Sequence, residues 1–237
     1  MKKRYKTWQS PSLGKDMDLL IYGTEGTPVI LFPSAHGNYK EWEEQGAMSY
    51  LSEQVDEGYN QFFCIDSVAQ DSFLNNEIDP LSRVLRFTHY QSYIMDELLP
   101  FISEENSNPY IITAGAAFGA YFALLMALKY PTNFQKVVSL CGYYDIRCHL
   151  DDLVDDNVYF NNPVEFIPNL NDEKLLKMIS AVDIRLINYL NDSSKDDTTK
   201  MSDILWLKFI EHEHYVWNEN ADDMWNLIPR MLKDNLF

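Results

Sequence analysis

Positive charge is scarce in this chain. Its 19 Lys and Arg face 36 Asp and Glu, leaving a formal net charge of −17 over 237 residues. A polyanionic backbone or an anionic bilayer would be repelled by such a surface, and no basic stripe offsets it. Nucleic acid and membrane are therefore not expected as partners. Long apolar runs are also missing, since none reaches the roughly 20 residues that span a bilayer. The start, Met1-Lys2-Lys3-Arg4-Tyr5-Lys6, is basic but lacks the following apolar run of about 7 to 15 residues that a secretory signal needs. Cysteine is sparse and odd in number: Cys64, Cys141 and Cys148 show no metal-ligand spacing and read as reduced thiols. The sequence contains no internal repeat and no low-complexity region. The expectation is a soluble cytoplasmic protein with no resident cofactor or metal.

Apolar material is plentiful by contrast, with 46% hydrophobic and 14% aromatic residues, enough for a large core. The length suits one α/β domain over residues 1–237. Strand signals fall at residues 19–22, 29–32, 62–66, 110–113, 136–141, 182–187 and 211–217, several as near-continuous apolar runs suited to burial on both faces. Helical signals lie between them, at 41–55, 80–102, 118–130, 174–179, 197–209 and 223–236. Pro80 suits a first helical turn, with Asp79 before it as the cap. This alternation predicts a mostly parallel, twisted sheet with helices on both faces. The polar stretch 188–200 reads as a loop of the kind that carries sites.

The most informative stretch is Gly115-Ala116-Ala117-Phe118-Gly119, between a β-prone run and an apolar helical run. Strand, G-x-x-x-G, helix is the context of a nucleophile elbow, whose middle residue is pushed out above the sheet. That position normally carries serine. Here it carries Ala117, whose methyl group can neither attack a carbonyl nor release a proton. Small residues at a strand-to-helix turn also serve packing alone, and the pentapeptide by itself leaves both readings open.

Along nearly its whole length the chain resembles the esterase D-like esterases of the α/β-hydrolase superfamily. The marks are Trp8-Gln9-Ser10-Pro11, Leu13-Gly14-Lys15-Asp16-Met17, Phe32-Pro33-Ser34, Glu41-Trp42-Glu43 and Ile65-Asp66-Ser67-Val68. They continue through the elbow to Gly142-Tyr143-Tyr144-Asp145-Ile146-Arg147 and Val158-Tyr159-Phe160-Asn161-Asn162-Pro163. The resemblance implies an α/β-hydrolase fold and a serine, histidine and aspartate working as a unit. The serine falls on Ala117. The aspartate falls on Asp192, with Asn191 as the lesser alternative. The histidine falls in the loop Asn218-Glu219-Asn220-Ala221-Asp222-Asp223, which contains none; Asp222 stands at about its position.

What the resemblance leaves intact is an anion cradle. It consists of the Phe118 N–H at a helix start and an N–H near Ala35 or His36, ringed by Tyr143, Tyr144, Tyr159 and Asn161. Among the five histidines, His212 and His214 alternate along the last strand, His89 lies in a helix, and His149 falls in a surface turn beside Asp151 and Asp152. Only His36 is expected near the pocket mouth. The first reading is a non-hydrolytic family member that binds a small acyl or carboxylate-bearing ligand, or acts as an interaction protein, with a homo-oligomer or protein partner left open. The alternative is a serine carboxylesterase captured as an inactive serine-to-alanine variant, its histidine supplied by His214 or His36. A third reading is a cation site built from Asp192, Asp222 and Asp223.

Overall fold

The computed structural model describes residues 1–236, and the seven strand signals join one further strand in an eight-stranded sheet. The strands are β1 (Lys3–Ser10), β2 (Lys15–Tyr22), β3 (Thr27–Phe32), β4 (Asn60–Ile65), β5 (Ile112–Ala116), β6 (Lys136–Leu140), β7 (Asp183–Tyr189) and β8 (Glu213–Trp217). Their spatial order is β1-β2-β4-β3-β5-β6-β7-β8. The β1–β2 and β2–β4 pairings are antiparallel, and the pairings from β4 onward to β8 are parallel. Strands β4, β5 and β6 are buried at every residue, because helices cover both faces of a parallel sheet.

The helices are α1 (Glu41–Glu44), α2 (Ala47–Tyr50), α3 (Ser52–Asp56), α4 (Pro80–Tyr93), α5 (Leu99–Glu105), α6 (Phe118–Lys129), α7 (Asp156–Tyr159), α8 (Pro163–Asn169), α9 (Glu173–Ile179), α10 (Lys195–Leu207) and α11 (Ile228–Asp234). Two apolar clusters lie on opposite faces of the sheet. One gathers α4, α5, α6, α9 and α10 around Phe87, Phe118, Tyr121, Phe122 and Leu186. The other gathers α2, α3 and α11 around Trp42, Met48, Val55, Met231 and Leu232. Helix α6 is buried at every residue from Phe118 to Leu128, which explains its uniformly apolar sequence.

The structure corrects several sequence expectations. Strand β1 was not anticipated, since this edge strand is mostly exposed and carries no apolar alternation. Its basic residues join the surface: Lys3 pairs with Glu43 at 2.6 Å and Arg4 with Glu105 at 2.6 Å. The expected helix 41–55 is three short ones, interrupted where Gly46 takes a left-handed conformation (φ 76°). The expected helix 80–102 carries a π-helical turn at Ile94–Leu98, where the Leu99 N–H reaches back to Ile94 O, just ahead of Pro100, which has no N–H to give. Residues 223–236 form a 3₁₀ turn at Met224–Asn226 and then α11. Strand β5 runs later than expected, to Ala116, and so delivers the chain directly into the glycine turn. Helices α7 and α8 were also unforeseen. Among the described residues no helix is long and apolar enough to cross a membrane.

Candidate active site

The turn between β5 and α6 is built as an elbow. Ala117 has φ 52° and ψ −111°, a backbone conformation that costs an L-residue on the order of 1–3 kcal/mol. Its N–H is bound to Leu140 O at 2.9 Å and its carbonyl accepts from the Ala120 N–H at 3.1 Å, so β6 and α6 together hold it there. The two flanking glycines are demanded by contact. A Cβ on Gly115 would lie 2.1 Å from Gly119 O, and one on Gly119 would lie 2.5 Å from both Phe32 O and Pro33 O. Helix α6 thus presses directly on the end of β3, and the G-x-x-x-G spacing is what lets the turn close. Ala117 itself is only partly buried. The Phe118 N–H heads α6 and makes no hydrogen bond among the described residues, while its ring is buried against Phe73, Phe122 and His149.

Beside the elbow, the loop after β3 is clamped from behind. Glu41 accepts from the Ser34 N–H at 2.6 Å and from the Ser34 hydroxyl at 2.5 Å, and burial raises the Glu41 pKa. Gly37 lies against the same carboxylate, where a Cβ would meet it at 2.3 Å. Ala35 is half-buried in this loop, and His36 is exposed with Nδ1 3.0 Å from the Gln70 amide. The strand order places this loop next to the elbow, since β3 and β5 are paired neighbours.

Asp192 follows β7 and is 9% exposed. Its carboxylate accepts from Asn188 Nδ2 at 2.6 Å and from the Ser194 N–H and hydroxyl at 3.0 Å. Burial, followed by the nearby Asp192 carboxylate, pushes the Cys141 thiol well above its ordinary pKa, which disfavours the thiolate form. Asn191 serves another purpose: its side chain makes a reciprocal pair with the Ala221 backbone, both bonds 2.9 Å. A further bond, Leu190 N–H to Glu219 O at 2.9 Å, ties the loop after β8 to the loop after β7. Asp222 sits on that tied loop, exposed, with no hydrogen bond or ion pair among the described residues. Asp223 caps the turn at the Trp225 N–H at 3.0 Å.

Three expectations change at this point. Asp192, Asp222 and Asp223 do not gather, and no group of three or more His, Cys, Asp or Glu suited to a metal ion exists among the described residues. His214 pairs with Leu186, three residues below the carboxyl end of β8 at Trp217, whereas the elbow opens at the carboxyl ends of the parallel strands. His212 lies lower still, bound to Ser202 Oγ at 2.7 Å and Ile210 O at 2.9 Å. Asn161 is not a pocket residue. It is 2% exposed and accepts from Gln91 Nε2 at 2.7 Å and Lys129 Nζ at 3.0 Å, because α4, α6 and α7 converge on it.

Tyr144 is buried too, hydrogen-bonded to Ser139 at 2.7 Å. Tyr143 is 38% exposed, with its hydroxyl 2.6 Å from that of Ser193, the neighbour of Asp192. Tyr159 is half-buried and lines a groove with Arg147, Asp152 and Val158. His149, assigned from sequence to a surface turn, is half-buried with its ring 5.3 Å from that of Phe118. Burial and the Arg83 charge lower its pKa. It shares a cavity of about 560 Å³ with Tyr143, Asp145, Arg147, Cys148, Asp152 and Asp197. No local pattern announces this cavity, since the 143–152 segment and the start of α10 meet only in the fold.

A family model described as "Putative esterase" matches residues 10–229. No curated protein sequence matches the chain. Among solved structures, a ferulic acid esterase superposes with a TM-score of 0.79 at 14% identity, covering 99% of this chain and 96% of that one. An S-formylglutathione hydrolase from Agrobacterium tumefaciens gives 0.73 at 13% identity, with 99% and 94% covered. A substrate-bound fluorophosphonate-binding serine hydrolase from Staphylococcus aureus gives 0.70 at 14%, with 99% and 96% covered. At such identities the structural likeness speaks for the fold, and the family match speaks for descent. The chain belongs to the family described as putative esterases and has an α/β-hydrolase fold.

Proposed function

We propose that this chain is a non-hydrolytic esterase-family protein that binds an acyl-bearing ligand at the elbow without cleaving it. The observation that carries this reading is Ala117, a methyl group held at the outward position of a strained elbow. A backbone this costly persists only where neighbours enforce it, so the turn outlasts the hydroxyl that would use it. Asp192, to which the resemblance assigns the triad acid, supports the same reading: its partners are an amide, a serine and a thiol rather than an imidazole. The unbonded Phe118 N–H and the clamped Ser34–Gly37 loop remain suited to an acyl oxygen. Buried Cys64 and Cys141 and the exposed free Cys148 agree with a reducing, cytoplasmic setting.

A second reading keeps catalysis in the fold, with Ala117 replacing a serine and His36 as base, because His36 stands in the loop adjoining the elbow. One experiment separates the two. The chain as it stands should hydrolyse short-chain aryl esters no faster than buffer. Ala117→Ser alone should stay essentially dead, since a serine without a base is a poor nucleophile. Ala117→Ser with Asp222→His should exceed either single variant. Strong turnover from Ala117→Ser alone, blocked by a fluorophosphonate and abolished by His36→Ala, would establish the second reading and end the first.

A further inference from the structure

The two edges of the sheet carry opposite charge, and among the described residues no strand lies beyond either of them. At one edge, Lys2 stands just before β1 and Lys3, Arg4 and Lys6 lie within it, with no acid in the strand. Lys3 and Arg4 have acidic partners, but Lys2 and Lys6 are exposed and form no ion pair among the described residues. At the other edge, Glu211 leads into β8 and Glu213 opens it, and the strand contains no Lys or Arg. Glu211 is exposed and forms no ion pair among the described residues, and Glu213 meets Arg185 at 3.7 Å.

The pleat decides how such edges can meet. Arg4 reaches Glu105 of α5, Lys6 lies over Phe101 and Trp8 packs on the same apolar cluster, so the even residues of β1 take that face of the sheet. In β8 the opposite holds. His212, just before it, turns to Ser202 of α10 on that face, whereas Tyr215 and Trp217 pack on the other cluster and the Tyr215 hydroxyl donates to Glu213. The basic residues of β1 and the acidic residues of β8 therefore lie on opposite faces. A second copy turned over, its β1 running antiparallel to β8, brings them onto one face. Lys6 can then stand opposite Glu211 and Arg4 opposite Glu213. In that register the exposed Tyr5 stands opposite His212, whose ring lies 4.6 Å from that of Trp206. The backbone agrees: Lys2 O accepts from the Gly23 N–H at 2.9 Å, so alternation turns the N–H and C=O groups of Lys3, Tyr5 and Thr7 outward.

A separate observation lies beside β8. At the end of α10, Trp206, Leu207 and Phe209 are 54%, 66% and 87% exposed. Phe209 also has φ 56°, a left-handed backbone that a bulky residue rarely takes, with its ring in water. Contiguous exposed apolar side chains of this kind mark interaction surfaces.

We propose that the chain self-associates edge to edge, the basic strand β1 of one copy adding antiparallel to the acidic edge β8 of the next, with the Trp206–Phe209 patch covered beside the join. Like edges repel, because they set Lys against Lys or Glu against Glu. The contact is head-to-tail and leaves each assembly with one free edge of each kind, so growth is open-ended. The proposal does not depend on what the elbow binds.

Sedimentation equilibrium of the untagged chain, with its thiols kept reduced, tests this. The net charge of −17 opposes association at long range, so the salt is set at about 0.15 M, where screening beyond about 8 Å leaves mainly the charges in contact. The weight-average mass should rise with concentration past that of a dimer and show no plateau. Lys6→Glu and Glu211→Lys should each weaken association about fivefold or more, and the two together should restore it, because the cross-strand pair is then re-formed with its signs exchanged. Phe209→Gly removes the exposed ring and relieves the positive φ, so it should weaken association without loss of thermal stability. All three positions are exposed, and circular dichroism would confirm that the variants fold. A monomer at every concentration up to about 1 mM, a plateau at the dimer, any of the three single variants associating as tightly as the native chain, or a charge-exchanged double variant no better than its singles would each overturn the proposal.

Discussion

Ala117 concentrates the residue-scale physics of the molecule. Its positive φ is a burden that glycine would not feel, while the methyl group contributes little packing at a half-exposed position. Ala117→Gly should therefore leave stability unchanged or raise it by about 1 kcal/mol, after the greater chain entropy of glycine offsets part of the relieved strain. Urea unfolding reads this, and a loss above about 1 kcal/mol would show that the turn is not strained. Lys129 is a different residue-scale case. Burial lowers its pKa to about 8, and its ammonium has Asn161 as its hydrogen-bonding partner. A lysine whose pKa is depressed in the folded state penalises folding below that value, and the penalty fades as pH rises toward the unfolded value near 10.4. Measured against Lys129→Met, the native chain should gain on the order of 1–3 kcal/mol between pH 8 and 10. A difference that stays flat over that range would show that the amine is solvated.

At the scale of elements, the elbow works because three backbones meet. Strand β5 enters, α6 leaves, and the end of β3 packs against Gly119, with Gly115 touching Gly119 across the turn. No side chain intervenes, so adjustment cannot absorb an added methyl. Gly115→Ala should cost at least about 3 kcal/mol, toward the upper end of what overpacking does, because the atoms it meets are backbone. Thermal unfolding checks this; a shift of only a degree or two would mean that α6 can slide outward. The tie between the loops after β7 and β8 is the other element-scale device. Asn191 gives both its amide groups to Ala221, which fixes the β8 loop even though nothing on it completes a triad.

For the whole molecule, the dominant electrostatic fact is the net charge of −17. Its visible ion pairs are mostly surface contacts, such as Lys233–Glu53 at 2.7 Å with the carboxylate 67% exposed, and pairs of that kind contribute little each. Self-repulsion should outweigh them. Raising NaCl from about 10 to 300 mM, which shortens the screening length from about 30 Å to below 8 Å, should raise Tm by several degrees. A Tm that falls across that range would mean that the ion pairs dominate. The same charge helps explain the basic edge strand β1, whose Lys3 and Arg4 neutralise Glu43 and Glu105 on the helices beside it.

Local sequence was enough to determine most of the sheet, because a strand covered on both faces is mostly apolar, as in residues 29–32 of β3 and 62–65 of β4. It was also enough to mark the elbow, since only small residues fit where backbones touch. It did not determine β1, whose pairing comes from its neighbour β2 rather than from its own alternation. Nor did it separate Asp192 from Asn191: adjacent residues on one loop point opposite ways, one inward to Asn188 and Ser194, the other across to Ala221. Asn161 and His149 exchanged roles for the same reason. Burial and contact belong to three-dimensional neighbours, and those lie 31 and 70 residues apart for the pairs Phe118–His149 and Gln91–Asn161. Which chemistry survives at a site is written in residue identity; which residues share the site is decided only when the chain closes on itself.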